Sequence, residues 1–69
     1  MNWDRVSGNW RIMRGKVRER WGKLTDDDLD VIDGQYEQLV GRIEHRYGMR
    51  RDEIENDVAE WYEMVHHHV

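Results

Sequence analysis

Six glycines divide this chain at a regular interval, and they limit what it can fold into more than any other feature. Gly8, Gly15 and Gly22 stand seven residues apart, and Gly34, Gly41 and Gly48 repeat the series 26 residues later. The residues between them correspond as well: Trp10 with Tyr36, Met13 with Leu39, Val17 with Ile43 and Trp21 with Tyr47. A shift of 25 carries Leu29 onto Ile54, Tyr36 onto Trp61 and Leu39 onto Met64, so a partial third copy closes the chain. Self-similarity at such a period marks a supersecondary unit used more than once.

That unit is helical. Trp3, Val6, Trp10, Met13, Val17 and Trp21 advance in steps of three or four, as do Leu29, Ile32, Tyr36, Leu39, Ile43 and Tyr47. Such spacing draws one apolar stripe along a helix, and Ile54, Val58, Trp61 and Met64 or Val65 draw a third, shorter one. Three stripes predict an all-α domain with a shared core. At about 100° per residue the glycines fall on the side away from the stripe. There they either break the helices into shorter pieces or present a smooth second face to a protein partner or to another copy of the chain.

Local signals place the boundaries. Thr25 ahead of Asp26, Asp27 and Asp28 puts a hydroxyl at an N-cap and acids in a first turn, where unpaired N–H groups and the dipole favour them. Asn2 is a candidate cap for the first helix. Gly22 and Gly48 follow Trp21 and Tyr47 as expected C-terminal stops. Gly34 is expected to split the middle segment into helices over 26–33 and 35–47. The expected organisation is one domain over residues 1–65 followed by a flexible histidine-containing tail at 66–69.

A chain of 69 residues has room for a single, thin core. There is no Phe, so four Trp and three Tyr supply the bulk, and their N–H and O–H groups favour shallow positions. There is no Cys, which excludes disulfides, thiolate metal sites and thiol nucleophiles. No apolar run reaches a membrane-spanning length, and Asp4 and Arg5 interrupt any signal-peptide core, so the expected location is cytoplasmic.

The net charge of −4 conceals segregation: residues 1–24 carry +5, 25–45 carry −6, 46–51 carry +3 and 52–69 carry −6. Basic and acidic helices lying side by side account for this pattern. The sharper alternative is an anion-binding first segment. Arg11, Arg14, Lys16, Arg18 and Lys23, interleaved with Trp10 and Trp21, are the candidate anion or nucleic-acid contacts. Against it, the Trp residues lie on the stripe that packs inward, leaving only the cations outside.

Other chemistries have little support. Asp26, Asp27, Asp28, Asp30 and Asp33 lack the alternating ligands, central glycine and terminal Glu of a calcium loop. His66, His67 and His68 have no preorganised shell to hold a metal, and His45 stands alone. No Ser/His/Asp set, phosphate-binding loop or dinucleotide fingerprint is present. The expectation is a non-enzyme without cofactor or metal.

The stretches NWDRVSGNW (residues 2–10), GKVRERWGKLTDDDLDVIDG (15–34) and QLVGRIEHRYG (38–48) closely resemble the CsbD-like family of small bacterial proteins, the similarity covering about residues 2–61. The resemblance implies an array of about four short helices similar to two crossed helical hairpins, in a cytoplasmic protein of the bacterial general stress response. It implies no known reaction and brings no catalytic residues with it. Tyr36, His45, Arg50 and residues 66–69 depart from the pattern, which affects surface roles more than the fold.

Overall fold

The computed structural model describes residues 1–66. Five helices follow one another: α1 (Asp4–Ser7), α2 (Trp10–Arg20), α3 (Asp26–Ile32), α4 (Tyr36–Tyr47) and α5 (Arg51–His66). Among the described residues there is no strand. The all-helical expectation therefore holds, with five helices rather than about four. α1 packs with α2, α3 with α4, and α4 with α5.

Glycine explains some of the breaks and not others. The chain leaves helix at Gly8 and Asn9 and again at Asp33 and Gly34, dividing α1 from α2 and α3 from α4. Gly15 and Gly41 instead sit inside α2 and α4 without interrupting them. The middle split falls where Gly34 predicts it. The 26-residue offset aligns the starts of α2 and α4, yet α5 runs 16 residues unbroken where the preceding copy is split. Ala59 occupies the position that Gly34 has one copy earlier, and alanine lets the helix continue. The structure therefore does not divide into equivalent repeats.

The apolar stripes do converge. Val6, Val17, Ile32, Leu39, Ile43 and Ile54 are fully buried, and Trp21 and Trp61 pack with ring centroids 5.7 Å apart. Trp3, Tyr36, Tyr47 and Val65 close the rim of the core from half-buried positions. The expectation of shallow aromatics fits Trp3, whose Nε1 donates to the Gly34 carbonyl at 2.8 Å. It fails for Trp10, whose Nε1 is buried with no partner among the described residues. Area burial outweighs the cost of one unpaired indole N–H. On α5, Tyr62 is buried and Met64 is 64% exposed, so the third stripe turns toward Val65 and Tyr62 instead of Met64.

The caps match the sequence signals at Thr25 and Gly48. Thr25 accepts from the Asp28 backbone N–H, while the Asp28 carboxylate accepts from that of Thr25, forming a reciprocal capping box. Gly48 ends α4 in the left-handed region at φ 66°, with its N–H on the Glu44 carbonyl. Gly22 does not do the same for α2, whose C-cap is Trp21 at φ −116°. Asn2 Oδ1 accepts from the Asp4 N–H one residue ahead of the assigned cap, Trp3. His66 is the last residue of α5, its ring stacked on Tyr62 at 4.2 Å; His67, His68 and Val69 lie outside the described residues.

Candidate functional site

The basic residues of α2 leave the helix in three directions, and each direction has a different neighbour. Arg14 and Arg18, one turn apart, face α3 and pair with Asp30 at 2.9 Å and Asp26 at 2.6 Å. Arg20 turns toward α5 and lies 3.8 Å from Asp57 and 3.6 Å from Glu60. Arg11 and Lys16 are exposed, with no carboxylate partner among the described residues. Lys23, beyond the helix, sets its ammonium 5.0 Å from the Tyr47 ring centre, and its backbone N–H donates to the Tyr47 hydroxyl at 3.1 Å.

Of the five candidate contacts, Arg14 and Arg18 are thus already paired with carboxylates of α3. The aromatic half of the candidate site points elsewhere: Trp10 and Trp21 are buried, and Trp3 is half-buried, edge-on to Tyr36 at 5.1 Å. Stacking on bases requires an exposed ring face. The charge segregation read from the sequence resolves mainly into helix-to-helix pairing. Exposed pairs of this kind contribute little individually, about 0.2–1 kcal/mol.

The strongest electrostatic feature is one that the sequence pattern did not single out. Asp28 is only 1% exposed. Its carboxylate accepts from Arg46 Nε at 2.8 Å and Arg46 Nη2 at 3.0 Å, from Arg42 Nη1 at 3.2 Å and from the Thr25 N–H at 2.9 Å. The Arg46 hydrogen bonds, followed by those of Thr25, hold its pKa far below the usual carboxylate range despite burial. The same bonds raise the pKa of Arg46. With every lone-pair direction occupied by a donor, Asp28 is a bracket between the start of α3 and the outer turns of α4, and it has no oxygen left to take a proton from a substrate. Thr25 ahead of three acids marks the cap in the sequence, whereas Arg42 and Arg46, four apart on one helix face, do not show which acid they meet.

A second bracket joins α4 to α5. Arg51 Nη2 donates to both Glu37 oxygens at 2.6 and 2.7 Å, and Arg51 Nε donates to Glu55 at 3.3 Å. This fork lowers the Glu37 pKa and raises that of Arg51. The remaining acids of the Asp-rich run serve as helix-start charges and pair partners: Asp26 and Asp30 bind α2, Asp27 is exposed and Asp33 is the left-handed C-cap of α3. Among the described residues no three His or acidic groups are placed to share a metal ion. His45 is exposed on α4.

A shallow cleft of about 260 Å³ lies between α2 and α5. Lys16, Glu19 and Arg20 form one wall, and Trp61, Met64 and Val65 form the other. No helix among the described residues is long and apolar enough to cross a membrane.

Comparison with known proteins agrees with the resemblance in the sequence. A family model described as CsbD-like matches residues 4–56. The UPF0337 protein YjbJ of Escherichia coli strain K12 is 52% identical over 61 residues, spanning 88% of each chain. The UPF0337 protein ECA0631 of Pectobacterium atrosepticum is 52% identical over 68 residues, spanning 99% of each chain. The UPF0337 protein RPA4217 of Rhodopseudomonas palustris is 53% identical over 62 residues, covering 90% of this chain and 94% of that one.

Proposed function

The chain belongs to the CsbD-like family, and from that premise we propose that it is a non-enzymatic general stress-response protein of the bacterial cytoplasm, acting through surface interactions with other macromolecules. The observation that carries the reading is the fate of its ionisable groups. Of the groups whose pKa is shifted, Asp28, Arg46, Glu37 and Arg51 tie helices together and Tyr36 is raised by burial at the rim of the core; none of them lines the cleft. Perturbed groups in a concave site are the usual mark of chemistry, and here the two are apart.

The test is genetic. A strain lacking the gene should survive osmotic, stationary-phase or oxidative stress less well than the parent, and the full-length gene should restore survival. Equal survival under all three overturns the reading. The alternative, a nucleic-acid or anionic-surface module on the basic N-terminal segment, has Arg11, Lys16 and Lys23 left to work with, because Arg14 and Arg18 are paired. Salt-dependent binding to DNA, RNA or anionic vesicles, lost when Arg11 and Lys16 are changed to Glu, would favour it instead.

A further inference from the structure

The outward face of α2 carries a short strip that the ion pairs of the fold leave unmatched. Ile12, Lys16 and Glu19 follow one another at i, i+4 and i+7, the spacing of neighbours on one helix face. Ile12 is 58% exposed. Lys16 and Glu19 are exposed and have no oppositely charged partner among the described residues, while Arg14, Arg18 and Arg20 on the same helix are all paired. Lys16 and Glu19 also line the cleft, whose opposite wall presents the exposed thioether of Met64 beside Trp61 and Val65.

A cation and an anion one turn apart beside an apolar patch form a self-complementary arrangement. A two-fold axis passing between positions 16 and 19 sets Lys16 of each copy against the partner's Glu19. The same operation turns the two clefts, with the exposed Met64 of each, toward one another, as an isologous contact requires. A simple anionic amphiphile would meet Lys16 but be opposed by Glu19, whereas a second copy matches both signs in the correct order. We propose that the cleft between α2 and α5 is the contact surface of a two-fold dimer of this chain. The strip is small beside the roughly 800 Å² per partner of a standard interface. The dimer is accordingly weak, forms at high protein concentration and loosens as salt screens the exposed charges.

Sedimentation equilibrium of the full chain from micromolar to millimolar concentration, at low and high salt, tests this. The average mass should rise from 8.5 kDa toward twice that value. Lys16→Glu should weaken association by roughly tenfold, and adding Glu19→Lys should bring it back to within about threefold of the parent, because the swapped pair is again complementary. Both side chains are exposed, so unchanged helical circular dichroism is expected for each variant. The proposal is overturned by a monomer at every concentration, by a dimer indifferent to Lys16→Glu, or by failure of the double variant to restore it. Amide and indole NMR signals of Ile12, Lys16, Glu19 and Trp61 should move on concentrating the protein. If they move only on adding decanoate or anionic vesicles, the cleft receives an amphiphile and the dimer is wrong.

Discussion

Gly34 and Gly41 belong to one seven-residue series, yet the regions around them use glycine in opposite ways. At the turn between α3 and α4, Gly34 is buried at φ 81°, and a Cβ there would lie 3.1 Å from the Ser7 Cα. Trp3 adds its hydrogen bond to the Gly34 carbonyl, so α1 is seated on this turn. On the outer face of α4, Gly41 sits in regular helix, and a Cβ there would meet nothing within 4 Å. Regular spacing in a sequence therefore does not imply a shared physical role. One glycine is required by both backbone conformation and a close approach; the other costs helix stability and returns no packing.

The α3–α4 pair that this turn joins can be broken most severely at its other end, where Asp28 ties the start of α3 to Arg42 and Arg46 of α4. Asp28→Ala removes the capping box and the Arg42 and Arg46 pairs together, and should cost about 3 kcal/mol in urea unfolding. Asp28→Asn keeps the shape but loses the charge and turns one acceptor oxygen into a donor facing donors, so it should destabilise as well. The folded pKa of Asp28 is depressed below its ordinary value of 3.8. Its contribution is therefore complete above that value and is lost as pH falls from there toward the lower folded value. Acid titration of stability should show a shallower decline below about pH 4 in Asp28→Asn than in the parent. Equal slopes would mean that Asp28 is not the main acid-sensitive bracket.

Gly34→Ala comes next. A left-handed backbone and a backbone neighbour at 3.1 Å together should cost about 2 kcal/mol. The indole N–H signal of Trp3 should shift as α1 is displaced. Gly41→Ala should have the opposite sign, raising stability by about 0.5–1 kcal/mol with no change in the Trp3 signal. If both substitutions destabilise equally, the distinction drawn between the two regions fails. The smallest effect is expected at the exposed Arg18–Asp26 pair, where Arg18→Ala should change stability by less than about 0.5 kcal/mol and vanish into error at high salt.

Much of the helical layout was legible because it depends on neighbours close in sequence. The three- and four-residue spacing located α2, α4 and most of α5; Thr25 announced the start of α3, and Gly48 the end of α4. The candidate site was less legible. Arg11, Arg14, Lys16, Arg18 and Lys23 look alike as a run of cations, but only packing against α3 distinguishes Arg14 and Arg18 from Arg11 and Lys16, which have no carboxylate partner among the described residues. The exposure of Met64 and burial of Tyr62 were equally hidden. A 3.6-residue period allows either edge of the α5 stripe to face inward, and the neighbouring helices decide which does.

By itself, then, the sequence determined the all-helical class, the residues of the three apolar stripes, the capping of α3 and membership of a recognisable family. These follow from local geometry, in which a side chain's direction is set by its distance along the helix. Tertiary structure alone decided that Gly34 is buried under Ser7, that Asp28 rather than Asp26, Asp27 or Asp30 receives two arginines, and that Lys16 and Glu19 have no charged partner among the described residues beside an open cleft. For Gly34 and Asp28 the deciding contacts join residues far apart in sequence, on different elements. Which of several equivalent charges or glycines meets a partner depends on how those helices are placed, and one-dimensional spacing does not carry that information.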